Sequence, residues 1–423
     1  MKRSRRVVSA ALVIAAVSLA GCGGRPKDFL VPIGSDALAP GASRVDMLVA
    51  TTRSDRHASA GEMFTGERGQ KMAFADIAVS IPPDSARTIG DVQWPSTAPG
   101  DPNKEFVTLH ANRIDLKTAL AELGARAAGP AGRRVLVFVH GYNTRFEEAV
   151  YRFAQFIHDS KAPLLPVLFT WPSRGKLLAY TYDRESANYS RDALESLLQS
   201  LADDKRIAEV HVLAHSMGNW ATLEALRQMA IRKGRIAPKI KDVMLAAPDV
   251  DVDVFRRQIA EIGDNRPPFT LFVSRDDEAL AISRIVWGSR ARVGAIDPQA
   301  EPYRSEFERD RIAAFDLTDA KSADPLNHGK FAESPAVVRL IGQKLATGQK
   351  LSDSKASMGE KLGQIATGVA STVGKAAGVA VSAPVAIIDG RTRETLGDQI
   401  DDLQTSASET AKSTTDTVTR VGR

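Results

Sequence analysis

An α/β fold, a mostly parallel sheet with helices on both faces, is what this sequence predicts from Arg133 to Lys344. Two observations predict it. Segments of strand length alternate with segments of helical apolar spacing, the pattern left by parallel strands joined through crossover helices. One such junction also carries a serine among small residues. Val210-His211-Val212-Leu213 reads as a short buried strand, Ala214-His215-Ser216-Met217-Gly218 as a tight turn, and Trp220, Leu223, Leu226 and Met229 mark the helix that follows.

Taken in order, residues 46–51 and 72–81 are strand candidates between Pro-rich turns such as Ile81-Pro82-Pro83 and Ala98-Pro99-Gly100. They predict a short leading β-ribbon over residues 43–130, packed on the main sheet. The apolar runs Arg134–Val139, 164–170, 210–214, 242–247 and Phe269–Val273 are the predicted strands of that sheet. Helices are predicted over 184–203, after the serine turn, from Glu278, and from Ser334.

The serine turn carries the chemistry. A serine between strand and helix, with small residues two before and two after it, matches the nucleophile-elbow pattern, here with Ala214 in place of the first glycine. Bulky flanking side chains would collide in so tight a turn, and the serine hydroxyl is forced outward into the open.

Histidine count narrows the base. The chain has seven histidines, and in a hydrolase built this way the base follows the nucleophile and the acid along the chain. Only His328, in the turn-forming run Asp324-Pro325-Leu326-Asn327-His328-Gly329, lies beyond the elbow helix. Two groups of carboxylates follow strand candidates and so sit at the carboxyl ends where such sheets place their sites. Asp249, Asp251 and Asp253 form the first; Asp276 and Asp277 form the second. Asp277 is the preferred acid because its loop lies nearest the histidine loop. Asp276 is the runner-up and a candidate helix cap, and Asp249 and Asp251 read as residues that order their turn. The N–H groups of Met217, after the serine, and Tyr142, after the flexible Gly141, are the expected oxyanion donors. His140 reads as a structural residue of that loop.

Neither a metal nor another cofactor is expected. His211 and His215 are four apart but straddle a strand and a turn, and no H-E-x-x-H is present.

Val139-His140-Gly141-Tyr142-Asn143-Thr144, Phe169-Thr170-Trp171-Pro172-Ser173 and Ala214-His215-Ser216-Met217-Gly218-Asn219 resemble the family known as alpha/beta hydrolase of unknown function, loosely esterase/lipase-like. Ala247-Pro248-Asp249-Val250-Asp251, the run from Ser274 to Leu280, and Val49-Ala50-Thr51-Thr52-Arg53 with Gly66-Glu67-Arg68-Gly69 share in the resemblance, which covers roughly residues 45–345. It implies the α/β-hydrolase fold and the Ser216, Asp277, His328 triad. Asn327-His328-Gly329 departs from the His-Ser-Tyr context associated with that family.

The ends of the chain are of another kind. Residues 1–22 read as a lipoprotein signal peptide: a basic start, an apolar stretch over 7–19, and Leu19-Ala20-Gly21-Cys22, where Cys22 is the sole cysteine and the expected lipidation site. Residues 23–42 read as a tether, 43–347 as the hydrolase domain, and 348–423 as a low-complexity tail, disordered or loosely helical. Gly23 after the cysteine favours the outer membrane, facing the periplasm. The formal charge of +5 includes the basic signal, and with no basic stripe among aromatics a nucleic-acid partner is not expected.

The functional expectation is a serine hydrolase acting on a small-molecule or lipid ester, with the membrane reached through Cys22. The alternative is a non-catalytic envelope scaffold that keeps the fold. The run from Pro172 to Tyr182 reads either as a lid or as a core-packing loop.

Overall fold

The structure, a computed structural model, describes residues 28–34, 37–129, 132–287, 290–322 and 324–347. Cys22, the rest of the predicted signal and the tail from residue 348 lie outside the described residues.

Nine strands form one sheet among the described residues: β1 (Ser43–Arg53), β2 (Arg68–Ile81), β3 (Val107–Ile114), β4 (Arg134–Val139), β5 (Leu165–Thr170), β6 (Glu209–His215), β7 (Ile240–Ala246), β8 (Phe269–Val273) and β9 (Ile312–Asp316). Their order is β3-β2-β1-β5-β4-β6-β7-β8-β9. β2 runs antiparallel to both its neighbours, and β1 joins β5 in parallel. The predicted leading ribbon is therefore not a separate layer. Its strands extend the parallel sheet, because β1 offers β5 a run of apolar and threonine side chains, Leu48 to Thr51, in register with Val167 to Thr170.

Alternation along each strand builds two cores. Val135, Val137 and Val139 of β4 and Val210, Val212 and Ala214 of β6 face one side. Leu136 and Phe138 of β4 and Leu213 of β6 face the other. With a side-chain period of two, both faces must be apolar when helices cover both, which is why these strands read as continuous apolar runs. The first face packs on α4 (Arg191–Asp203), α5 (Gly218–Lys233) and α6 (Val252–Ile262). The second packs on α2 (Phe146–Ser160) and α10 (Pro335–Thr347). The remaining helices are α1 (Leu116–Ala127), α3 (Tyr180–Tyr189), α7 (Glu278–Trp287), α8 (Tyr303–Arg309) and α9 (Lys330–Glu333).

Two sequence expectations need correction. The helix expected over 184–203 starts earlier and divides at Ser190 into α3 and α4. The Ser190 hydroxyl bonds back to Ser186 O at 2.8 Å and across to Thr52 Oγ1 at 2.7 Å, a bonding pattern that bends helices. The tether expected over 23–42 does not extend to residue 42. Phe29 and Leu30 are buried, Leu30 N–H donates to Gly61 O at 3.1 Å, and Ile33 N–H donates to Thr108 O at 2.9 Å. The Phe29 ring lies 5.5 Å from Tyr151 and 5.8 Å from Trp94, so this segment packs on the domain.

Chain order sets the place of a site. From β4 the chain passes to β5 on one side, whereas β6 and the strands after it lie on the other. The carboxyl ends of β4 and β6 thus flank the point where the strand order reverses, the crevice where open α/β sheets bind ligands.

Candidate active site

Ser216 follows β6 and holds φ at 51°, the left-handed region that a side chain enters only under strain. The neighbouring backbones demand small residues. A Cβ on Gly218 would lie 2.3 Å from His140 O, and one on Gly141 would lie 2.8 Å from Ser216 Cβ. The residue is 4 % exposed overall, and its hydroxyl is not among the buried, unpartnered side-chain oxygens of the described residues. The close approach of the Gly141 backbone, together with His215, encloses the turn.

Asp277 and His328 meet. Nδ1 of His328 lies 2.7 Å from Asp277 Oδ2, and the Asp277 side chain is fully buried. The other carboxylate oxygen accepts Leu280 N–H at 2.9 Å and so caps α7. The capping role expected of Asp276 therefore falls to Asp277. Asp276 instead takes Lys330 Nζ at 2.8 Å and Ser274 Oγ at 2.5 Å. Asp251 caps α6 through Asp253 N–H at 2.8 Å, and Asp249 accepts the Tyr180 and Ser283 hydroxyls at 2.9 and 2.8 Å. Neither bonds to His328.

Burial pushes the Asp277 carboxyl up. Burial alone would push His328 down, but the adjoining Asp277 carboxylate overrides it and holds the imidazole up at about 9. The raised imidazole is the direction that governs the dyad, because the carboxylate facing it is already fixed by two N–H contacts, from His328 and Leu280. Since a carboxylate accepts, Nδ1 carries the proton and Nε2 is the ring nitrogen left for chemistry.

The loop bearing His328 is built by Asp324, which sequence reasoning placed only within a run of turn formers. Its Oδ2 accepts the N–H groups of His328 at 2.6 Å and Gly329 at 2.7 Å. Glu278 N–H donates to Leu326 O at 3.0 Å and ties this loop to α7. His215 also supports it. Its Nε2 donates to His328 O at 3.2 Å, and its ring stands 4.7 Å from those of His328 and Phe331. Burial and the neighbouring His328 hold His215 well below its ordinary pKa, hence neutral. No hydrogen bond joins His328 Nε2 to Ser216 Oγ in this structure; in unliganded enzymes that contact is often long and tightens on substrate binding.

Met217 is the N-cap of α5, so its N–H has no partner within the helix and faces out from a positive dipole end. Tyr142, after Gly141, is held by its hydroxyl, which donates to Leu177 O, and by its ring, 5.2 Å from that of Tyr180. Beneath this loop His140 stacks on Trp171 at 4.8 Å. Its Nδ1 donates to Gly141 O at 2.8 Å and its Nε2 accepts Trp171 N–H at 3.2 Å. Burial lowers its pKa to about 3, so the ring stays neutral. The buried Arg53 donates to Ser173 O at 2.8 Å and Thr144 O at 2.7 Å. Asp183 accepts Ser173 Oγ at 2.5 Å and Asn143 N–H at 3.3 Å, and burial raises its pKa to about 6. The Thr-Thr-Arg run at the end of β1 was a visible signal, but only the sheet order shows that it reaches this loop.

A mostly parallel sheet with a strand–serine–helix elbow at its strand-order reversal defines an α/β hydrolase. Residues 117–344 match the family model described as alpha/beta hydrolase of unknown function (DUF900), and the chain belongs to that family. Membership suggests hydrolase activity. Uncharacterized protein alr1448 of Nostoc sp. (strain PCC 7120) is 27% identical over 124 residues, which cover 23% of this chain and 32% of that protein. The chain thus spans about a third of the length of that curated relative. Among solved structures, a lipase-esterase related protein from Clostridium acetobutylicum ATCC 824 aligns with TM-score 0.29 and 9% identity, over 51% of this chain and 94% of its own. AbyA5 wild type aligns with TM-score 0.31 and 12% identity, over 77% and 73%. Among the described residues no cluster of metal-ligating side chains occurs, and no helix is long and apolar enough to cross a membrane.

Proposed function

We propose that the protein is a serine hydrolase that cleaves carboxylic esters and is anchored to the bacterial envelope through lipidated Cys22. The observation that carries the catalytic reading is the 2.7 Å contact of Asp277 with His328, beside a serine held at φ 51° between β6 and α5.

In this reading Ser216 Oγ attacks the ester carbonyl while His328 Nε2 takes its proton. The carbonyl oxygen gains the negative charge and is held by the N–H groups of Met217 and Tyr142. Asp277 keeps the Nδ1–H tautomer and stabilises the imidazolium. The imidazolium returns the proton to the departing alkoxide, leaving an acyl ester on Ser216. Water, deprotonated by the same nitrogen, then releases the acid and restores the serine. His328 must be neutral to begin the cycle. With its pKa raised, turnover falls as pH drops below about 9.

Purified protein should hydrolyse 4-nitrophenyl esters in a panel of increasing acyl length, and Ser216→Ala should abolish that turnover without loss of fold. Equal turnover by both proteins would overturn the assignment. Absence of turnover across the panel, with no covalent reaction at Ser216, would favour a scaffold.

A further inference from the structure

The loop on the oxyanion side of the site is held from beneath. Gly141 lies against the nucleophile, since a Cβ on it would stand 2.8 Å from Ser216 Cβ. Glycine accepts either orientation of the peptide that follows it, so neighbouring groups decide which way the Gly141–Tyr142 peptide faces. Two buried side chains take up its carbonyl and the one before it. Trp171 Nε1 donates to His140 O at 2.8 Å, and His140 Nδ1 donates to Gly141 O at 2.8 Å. The Gly141–Tyr142 bond is trans, and in a planar trans peptide the N–H points opposite the C=O. With Gly141 O turned toward the His140 ring, the Tyr142 N–H is turned away from it.

The arrangement requires the ring proton on Nδ1, and the surroundings of His140 place it there. Nδ1 faces an acceptor, Gly141 O. Nε2 faces two donors, Trp171 N–H at 3.2 Å and Arg53 Nη2 at 3.4 Å. A guanidinium has no acceptor atom, so Arg53 favours a bare Nε2. Trp171 O also lies 3.1 Å from Nε2, but a proton there would confront both donors and, in a neutral ring, leave Nδ1 bare against Gly141 O. Burial, then the charge of Arg53, hold the pKa down at about 3, so the ring is neutral.

Arg53 is itself 2 % exposed. Besides His140, its terminal nitrogens donate to Thr144 O at 2.7 Å, Ser173 O at 2.8 Å and Thr65 O at 3.3 Å. Ser173 Oγ in turn accepts Thr144 N–H at 3.0 Å. The buried cation thus serves both the imidazole and the backbone that follows the donor peptide.

We propose that His140, its tautomer fixed by Arg53 and the Trp171 N–H, is the positioning residue of the oxyanion hole: it holds the Gly141–Tyr142 peptide so that the Tyr142 N–H meets the oxyanion. The proposal rests on the reading of Ser216 as nucleophile and Tyr142 as donor, and its test is arranged to fail separately.

The test compares His140→Phe with His140→Asn on 4-nitrophenyl hexanoate, with turnover counted per serine titrated to completion by a fluorophosphonate. Phenylalanine keeps a ring to stack on Trp171 and loses the Nδ1 donor. Asparagine loses the ring but sets an amide N–H where Nδ1 stood. His140→Phe should lower kcat about tenfold to a hundredfold with KM little changed, short of the loss of a whole oxyanion donor. His140→Asn should recover part of that loss, and Arg53→Met should fall between wild type and His140→Phe.

A second readout is the trifluoromethyl ketone analogue of the hexanoate ester. Ser216 Oγ adds to its carbonyl carbon, the serine proton passes to His328, and the carbonyl oxygen becomes an oxyanion in the hole. Inhibition by this ketone should weaken in parallel with kcat across the variants. A role in stability alone would lower the number of titratable serines and leave kcat per serine and ketone inhibition unchanged; that result overturns the proposal while the nucleophile stands. Nitrogen NMR shifts of the His140 ring in histidine-labelled protein read the tautomer without turnover, and should show Nδ1 protonated and Nε2 bare. A proton on Nε2 overturns the proposal. Should His140→Phe fail to fold, Arg53→Met against Arg53→Lys carries the same comparison, with recovery expected in the lysine variant. No turnover and no fluorophosphonate labelling of wild type, with Nδ1 protonated, overturns the catalytic reading and keeps the tautomer lock.

Discussion

Asp277→Asn separates the charge of the dyad from its architecture. Asparagine keeps an oxygen for Leu280 N–H, so the cap on α7 survives and the fold should hold. What is lost is the anion beside His328. The carboxylate outweighs the burial that would lower the imidazole and holds it up at about 9, so the imidazolium loses its chief stabilising neighbour. The amide also changes the tautomer. Its N–H would donate to Nδ1, placing the ring proton on Nε2, where it cannot accept from Ser216. The two effects together should lower kcat by about a thousandfold to ten-thousandfold, as in triads where the aspartate becomes asparagine. The assay is 4-nitrophenyl ester hydrolysis across pH 5–10. Wild-type kcat/KM should rise with pH toward about 9, because the imidazole becomes competent only on losing its proton. In Asp277→Asn the residual activity should titrate closer to the ordinary histidine value. An Asp277→Asn protein with wild-type turnover, beside a folded but inactive Asp249→Asn, would refute the reasoning and move the acid to the loop after β7.

Three other perturbations follow from the packing. Gly218→Ala drives a Cβ to 2.3 Å from His140 O and 2.7 Å from Val139 O, so unfolding in urea should show a loss of about 3 kcal/mol or more, beyond ordinary overpacking. Phe29→Ala removes a ring buried against Tyr151 and Trp94 and should cost about 3–5 kcal/mol in the same measurement. Removal of residues 1–41 should be at least as harmful, since Leu30 and Ile33 also pair with Gly61 and Thr108. Cys22→Ser should abolish labelling by a palmitate analogue and leave an unprocessed precursor in cells; equal labelling would remove the lipoprotein reading.

Much of this was legible in the residues. The elbow announces itself because steric crowding leaves few choices around Ser216, and the apolar runs of β4, β6, β7 and β8 announce themselves because both faces are buried. Asp277 and His328 could be paired because loops after adjacent strand ends meet at one edge. The fate of the N-terminal segment was not legible: Phe29 and Leu30 sit in a Pro- and Gly-containing stretch, and their burial depends on contacts with Gly61, Thr108 and Tyr151, far along the chain. Asp324 hid for a similar reason, since its three backbone contacts to the histidine loop, at Leu326, His328 and Gly329, come from turn geometry.

The most direct test of the catalytic claim is covalent. A fluorophosphonate probe reacts with a serine only when a neighbouring base activates it and donors receive the developing oxyanion. Wild-type protein should be labelled with one probe per chain, the adduct should map to the peptide containing Ser216, and Ser216→Ala should remain unlabelled. An unlabelled wild type, or equal labelling of Ser216→Ala, would contradict the account.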